Sequence, residues 1–311
     1  MGNSSSSRIT IDKVDQRLAP EIWKPTLADS GRRRHLSYTM DFDTRVYGLE
    51  EPGDGWSEEA KRLHEENKAH IKRRLEHEFG TDGIEQKIAN FIAIGTKPFS
   101  VLAHHNRFFD QVRRAFVVGA YYPALVGACA LGERILNHLI LDLRESYRHT
   151  PEYKKVYRKA SFDDWRLPID SLEAWQVLLP EAVAQFRQLM TLRHRSIHFN
   201  PSTYLTLRED ALAALHQLRE IIDLQFGSWG IRPWFIAGTR GHIFIKREWA
   251  SNPFIRTYFI PTCPFVGPYF AISFDGGLRF HDHVDYGDGE WTDEEFAAAF
   301  EARSPDQVVK T

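Results

Sequence analysis

Apolar residues in the middle of the chain recur at three- and four-residue spacings. This period predicts helices that each bury one face. The first predicted helix begins well, because Ser57 suits the N-cap and Glu58 and Glu59 favour the positive end of the helix dipole. Gly80 and Gly227 suit the ends of the first and last helices of the series. The predicted helices cover about residues 57–79, 99–120, 123–147, 180–200 and 205–226.

The pattern changes after Gly230, where β-branched and aromatic residues alternate in part with polar ones. Such alternation predicts strands. Asp275-Gly276-Gly277 is typical of a hairpin turn, and the capping-box pair Thr292 and Glu295 predicts a short last helix to about Ala302. The predicted strands cover residues 234–236, 242–247, 256–260, 269–274 and 278–283.

The expected fold is therefore mainly α, a helical bundle with a small C-terminal α+β appendage. Residues 1–85 are expected to form an irregular segment followed by an amphipathic helix. Residues 86–228 are expected to form the helical domain, and residues 229–311 the C-terminal α+β module.

The composition limits what the protein can bind. The formal net charge is −2, so nucleic acid must be held by a local basic patch and not by bulk charge. The two cysteines, Cys129 and Cys263, do not make a disulfide framework, and free thiols fit the cytoplasm. The uncharged run 115–132 contains Pro123, which favours two helices meeting there over a membrane span. No membrane association is expected, although Gly2 and Ser6 match the N-myristoylation pattern.

The segment from Leu192 to Phe199 carries the candidate chemistry. It places Arg193, His194, Arg195 and His198 late in a helix that is otherwise apolar. Arg193 and His198 are separated on an ideal helix by about 140° of rotation and roughly 7.5 Å of rise. Their side chains could line two sides of a cleft, or reach across to a symmetric copy of the same helix.

The Arg-His-x-x-x-His sequence resembles the R-x(4–6)-H motif of HEPN-domain proteins. The helix at 123–147 resembles the second helix of that family, and the resemblance covers about residues 86–227. The matching positions in that helix are Ala124, Leu125, Ala128, Ala130, Glu133 and Leu136.

The resemblance implies metal-independent RNA cleavage by a homodimer whose two motifs face each other, with no cofactor. The ribose 2′-OH attacks the adjacent phosphate and leaves a 2′,3′-cyclic phosphate and a 5′-OH. His198 takes the proton-transfer role and Arg193 the phosphate role. His194 orients or assists, Arg195 is a further phosphate contact, and Glu133 supports the pair. Family analogy suggests a bacterial toxin or antiviral-defence effector, with the C-terminal module binding a regulatory partner or ligand.

Basic and aromatic residues interleave between the second and third helices of the predicted domain. Phosphate contacts and base stacking by such residues can hold RNA. An ordinary solvated linker is the alternative interpretation, and it applies equally to the run Arg32-Arg33-Arg34. The candidate RNA-binding residues are Lys154, Lys155, Arg158 and Lys159.

Other interpretations of the same residues stay open. The Arg/His-rich helix end can simply complement the helix dipole, or belong to a HEPN module that binds nucleotide, RNA or protein without cleaving it. His194 and His198 have the spacing of a helical zinc pair, but Arg195 stands where H-E-x-x-H needs glutamate, and no metal site is expected. His281 and His283 are interpreted as an exposed strand end, and His104-His105 as a solvated helix face.

Overall fold

A computed structural model describes residues 29–36, 42–197, 204–274, 277–287 and 289–310. The described chain is mainly helical with small antiparallel sheets, which confirms the expected class. It divides into two compact units, one formed by residues 39–227 and the other by residues up to 38 together with residues from 228 onward.

The helical unit contains eight of the helices in the described residues. Ser57 caps the first of them, since its Oγ accepts a hydrogen bond from the Ala60 N–H. The five helices predicted from the spacing are present, with ends that differ by a few residues. The helices are α1 (Glu58–Phe79), α2 (Ile84–Ile94), α3 (Ala103–Val117), α4 (Tyr121–Leu143), α5 (Tyr153–Val156), α6 (Arg166–Ala174), α7 (Pro180–Ile197) and α8 (Leu207–Phe226).

The centre of this unit is α4, which packs against α3, α7 and α8. Its buried apolar residues form one broad face, as expected of a helix that packs against several others. One stretch of the described chain, Tyr121–Tyr147, is long and apolar enough to cross a membrane. Within the most apolar 18 residues of this stretch, 56% is buried inside the protein, so the composition is also explained by a core helix.

The second unit contains a three-stranded antiparallel sheet whose central strand comes from the N-terminal part of the chain. β1 (Arg33–His35) lies between β2 (Phe244–Ile245) and β3 (Phe265–Val266), with Arg34 opposite both Ile245 and Phe265. Of the described residues before 86, residues 29–36 thus belong to this unit and residues 42–85 to the helical unit, where the sequence analysis placed them in one segment.

The basic run at residues 32–34 is buried, which contradicts its interpretation as a solvated or RNA-binding surface. Arg32 pairs with Asp29 and Asp282, and Arg33 pairs with Asp293. Carboxylates and carbonyl oxygens compensate the cost of burying these guanidinium groups, which connect β1 to neighbouring segments of the same unit instead of facing solvent.

The pairing of the two hairpin strands and the last helix of this unit were predicted correctly, whereas Asp275 and Gly276 of the predicted turn lie outside the described residues. β4 (Ala271–Ser273) pairs with β5 (Arg279–His281), and Thr292 and Glu295 form the capping box of α10 (Asp293–Ala302). The predicted strand at 256–260 is wrong, because α9 (Pro253–Tyr258) occupies most of it. Its N-cap is Asn252, whose side chain accepts two backbone N–H bonds.

Candidate functional site

Arg193 lies on the buried stripe of α7, close to the end of that helix. The stripe consists of Ala182, Phe186 and Leu189, and Arg193 continues it by one further turn. Its side chain is 21% exposed, so the guanidinium reaches the surface beside α4. The helical spacing therefore places a cation where the apolar interface between two core helices ends.

Glu133 and Trp165 hold the Arg193 guanidinium. Arg193 Nη2 lies 2.9 Å from Glu133 Oε2, and the indole Nε1 of Trp165 donates a 3.0 Å hydrogen bond to the same oxygen. The guanidinium carbon also lies 5.6 Å from the Trp165 ring centroid, in cation–π contact. Side chains from two other parts of the chain therefore hold the guanidinium of Arg193 in place.

Asn137 fixes the segment that carries Trp165. It follows Glu133 by one helical turn, accepts a 2.8 Å hydrogen bond from the Phe162 N–H, and donates a 3.4 Å bond to the Phe162 carbonyl. Glu133 and Asn137 on α4 thus bind the two ends of segment 162–165. This contact explains why an otherwise apolar helix contains these side chains.

Gly132 allows Trp165 and α7 to approach α4. A Cβ atom at Gly132 would lie 2.8 Å from Leu189 Cδ2 and 2.8 Å from Trp165 Cη2, which is shorter than van der Waals contact. The absence of a side chain at this position is therefore a condition for the packing that supports Arg193.

Replacing Gly132 with alanine is expected to lower the free energy of unfolding by about 1–2 kcal/mol. Two contacts below 3.0 Å place the cost of overpacking at about 2–3 kcal/mol, the upper part of its usual range, and the better helix propensity of alanine offsets about 1 kcal/mol. Urea unfolding measures the difference. Gly55→Ala is the matched control, because nothing lies within 4 Å of a Cβ atom there. Equal stability of Gly132→Ala and wild type would show that the packing is looser than described.

Arg195 has a structural partner, Asp210 near the start of α8. The two side chains form an ion pair, and Thr206 Oγ1 donates a 3.0 Å hydrogen bond to the other carboxylate oxygen of Asp210. This ion pair links the end of α7 to the start of α8. Arg195 and His194 are both exposed, and the predicted phosphate contact of Arg195 stays a prediction.

His198 lies outside the described residues, as do residues up to 203. It follows the last residue of α7, Ile197, directly in the sequence.

Cys129 lies one turn before Glu133 on α4, and burial raises the pKa of its thiol to about 12. The thiol is therefore protonated at neutral pH and is not an acid–base candidate.

The predicted RNA-binding residues Lys154, Lys155, Arg158 and Lys159 are all exposed. They surround α5, where the rings of Tyr153 and Tyr157 stack at a centroid distance of 5.5 Å. Arg144 ties the stretch to the end of α4 by donating to the carbonyl oxygens of Val156 and Lys159. The end of α4 is about 15 Å along the helix axis from Glu133. These residues are therefore not part of the Arg193 cluster, the group formed by Arg193, Glu133 and Trp165.

The histidines at the end of β5 and after it bond to groups of the same unit. His281 bonds to Ser273 and His283 to the Gln307 carbonyl, while Asp282 between them pairs with Arg32. Within the described ranges, no three His, Cys, Asp or Glu residues are grouped so as to hold a metal ion. The solvated position predicted for His105 is wrong, because it is buried with its ring 5.0 Å from that of His138.

Trp165 and Asn137 were missed by the sequence analysis. The signal that could have found Asn137 was the four-residue spacing of two polar residues on a buried helix, whereas nothing near Trp165 in the sequence marks it.

A comparison with protein-family models found no match, and searches of curated proteins and of solved structures returned no significant similarity. Membership of the HEPN family is therefore a proposal.

Proposed function

We propose that this chain is a metal-independent endoribonuclease of the HEPN type. The ribose 2′-oxygen attacks the adjacent phosphorus, the bond from phosphorus to the 5′-oxygen breaks, and the products are a 2′,3′-cyclic phosphate and a 5′-OH. His198 transfers the proton between the 2′-OH and the leaving oxygen. Arg193 binds the phosphate and stabilises the charge that develops in the transition state.

The observation that supports this proposal is the way Arg193 is held. The ion pair with Glu133 uses one terminal nitrogen, Nη2. Among the described residues no other ion pair engages the guanidinium, so Nη1 and Nε can donate to a phosphate oxygen. A guanidinium fixed by a carboxylate and an indole ring loses little conformational entropy when it binds phosphate, which favours catalysis by preorganisation.

The other residues proposed to act in cleavage lie at the end of α7 or directly after it in the sequence. His194 and Arg195 are exposed on its last turn, and His198 follows Ile197 directly. We propose that His194 orients the substrate and that Arg195 exchanges Asp210 for a phosphate when RNA binds. The resemblance further suggests that two copies of the chain bring their motifs together, so the active form is a homodimer.

A second candidate function is a HEPN module that binds nucleotide, RNA or protein without cleaving it. The ion pair between Arg193 and Glu133 favours this candidate, because a carboxylate already neutralises part of the charge that would have to stabilise the transition state of cleavage. The two candidates predict different results for RNA cleavage, since binding alone leaves the phosphodiester intact.

Cleavage of labelled RNA in EDTA tests the first candidate. Wild type is expected to produce fragments ending in 2′,3′-cyclic phosphate. His198→Ala is expected to lose at least about 100-fold of the rate, the lower range for a general acid–base residue. His70→Ala is the matched control, because His70 is exposed on α1. Cleavage at the same rate by His198→Ala and wild type, or no cleavage with intact RNA binding, would end the nuclease proposal.

The cellular location and the binding partners of the protein are also part of this proposal. Cys129 and Cys263 are both free and buried, which suits the cytoplasm. The exposed basic stretch around α5 is proposed to extend the RNA-binding surface beyond the cleavage site. The unit that contains the sheets is proposed to bind a regulatory partner or ligand, in keeping with a toxin or antiviral-defence effector.

A further inference from the structure

A charged cavity of about 420 Å³ lies within the helical unit, on the side formed by segment 42–45, α1, α2 and α3. It is separate from the Arg193 cluster, since none of Glu133, Trp165 and Arg193 lines it. Volumes of this size are typical of sites for small molecules. The charged lining residues are the cations Arg45, Arg74, Lys97, Arg113 and Arg114 and the anions Asp43, Glu78 and Asp110.

The three carboxylates of the cavity are already paired with three of the cations. Arg45 bonds to Asp43 at 2.7 Å and to Glu78 at 2.8 Å. Glu78 also accepts Arg114 Nη2 at 2.6 Å. Lys97 Nζ lies 2.9 Å from Asp110 Oδ1. These pairs leave Arg74 and Arg113 as the cations of the lining that contact no carboxylate among the described residues.

Arg113 is a buried cation held by carbonyl oxygens instead of a carboxylate. Its Nη2 donates to the Gly95 carbonyl at 2.8 Å and its Nη1 to the Thr96 carbonyl at 3.2 Å, where α2 ends. Burial lowers the pKa of Arg113 to about 10, although the nearby charges of Asp43 and Asp110 oppose this shift. Arg113 is therefore charged at neutral pH, and an anion near it would offset the cost of burying that charge.

Arg74 supplies the second surplus charge from the rim of the cavity. It is exposed on α1, so it can turn toward a bound anion without breaking an existing ion pair in the described chain. Two surplus guanidinium groups suit a doubly charged anion. Guanidinium forks match the oxygen geometry of phosphate particularly well.

The cavity also has an apolar wall. The rings of Phe42, Phe79 and Phe91 line it. Phe42 is 48% exposed and stacks on Phe99 with ring centroids 4.0 Å apart. An exposed, stacked ring next to a group of arginines offers a flat surface to the organic part of a ligand.

We propose that this cavity binds a small organic phosphate, in which a dianionic phosphate monoester is joined to a ring-shaped apolar part. The phosphate lies between Arg74 and Arg113, and the ring contacts the phenylalanine wall. This proposal does not depend on the nuclease proposal, because it rests on a different set of residues.

Isothermal titration calorimetry of the full chain with phenyl phosphate tests the proposal. Wild type is expected to bind phenyl phosphate, and to bind succinate and phenol at least about tenfold more weakly. Arg74→Ala is expected to weaken phenyl phosphate binding at least about tenfold, which is typical for loss of a charge-assisted hydrogen bond. Arg73→Ala is the matched control, because Arg73 is the exposed neighbour on α1 that does not line the cavity.

Two further variants separate this site from other sources of binding. Glu78→Gln removes a carboxylate that competes for Arg45 and Arg114, so it is expected to strengthen binding, whereas the exposed Glu76→Gln is not. Arg193→Ala is expected to bind phenyl phosphate as wild type does, which distinguishes the cavity from the proposed cleavage site. The proposal is overturned if wild type does not bind phenyl phosphate, or if Arg74→Ala and Arg73→Ala bind it equally. It is also overturned if succinate binds as tightly as phenyl phosphate.

Discussion

Arg193→Ala is expected to lower the rate of RNA cleavage about 100- to 1000-fold, the range for removing one preorganised donor from a transition state. The guanidinium is the group proposed to bind the scissile phosphate, and alanine removes both its charge and its hydrogen bonds. Arg193→Lys is expected to recover little of the lost cleavage rate. The lysine ammonium has one nitrogen, so it cannot bind Glu133 through one nitrogen and a phosphate through two others, as the guanidinium can. Single-turnover cleavage of labelled RNA in EDTA measures the rates.

The comparison with Glu133→Gln separates a catalytic role of Arg193 from a structural one. Both variants remove the same ion pair, but Glu133→Gln keeps an oxygen that can accept the Trp165 Nε1 hydrogen bond. We expect Glu133→Gln to reduce cleavage much less than Arg193→Ala does. Arg187→Ala, on the same helix but ion-paired at the surface with Asp170 and Glu173, is expected to cleave at the wild-type rate. If Glu133→Gln and Arg193→Ala lose activity equally, the ion pair only holds α4 and α7 together.

The sequence predicted the helical part of the fold because each long helix carries an apolar stripe that its own period reveals. The stripes of α4, α7 and α8 identify three helices that pack together in the structure. The same reasoning missed α2 and α6, which are shorter and give fewer repeats of the period. It also could not assign β1, because a three-residue strand containing Arg33 and Arg34 has no alternation of apolar and polar residues. Its partners lie more than 200 residues away in the sequence.

The sequence could predict only those residues of the candidate site that belong to a pattern within one short segment of the chain. Arg193 and Glu133 were named from the motif and from its similarity to a known helix pattern, and the structure brings them into contact. Trp165 and Asn137 complete the support of the guanidinium, yet their contacts join three separate segments. The charged cavity was missed for the same reason, since its arginines come from three separate segments and form no motif in the sequence.

An imidazole pair in the unit that contains the sheets links stability to pH. His35 Nε2 lies 2.8 Å from His242 Nδ1, and the rings of Phe244, Phe270 and Phe280 surround His35. A hydrogen bond between two imidazoles needs one nitrogen with a proton and one without. Protonating both rings would therefore place two donors against each other, and burial disfavours the charge on either ring.

Burial lowers the pKa of His35 to about 3, and the charges of His242 and Arg303 act in the same direction. The pKa of His242 is also lowered, mainly by burial and by Arg303, while Glu301 opposes the shift. An unfolded histidine binds its proton near pH 6.5. Between about pH 6.5 and 3 the unfolded chain thus holds a proton that folded His35 excludes, and the folded state loses stability as the pH falls through this window. Above pH 6.5 both states are neutral and His35 contributes no pH dependence.

The folding equilibrium constant of this unit is expected to fall by up to about tenfold for each pH unit below 6.5 on account of His35 alone. Urea unfolding followed through the NMR methyl signals of Ile236 and Val266, which pack in the same core, measures the constant at each pH. His35→Gln is expected to be less stable at pH 7 but to lose stability less steeply on acidification. His283→Gln, an exposed histidine of the same unit, is expected to keep the wild-type slope. Equal slopes for His35→Gln and wild type, or a His35 ring that titrates near pH 6.5 in the folded protein, would contradict the buried neutral pair.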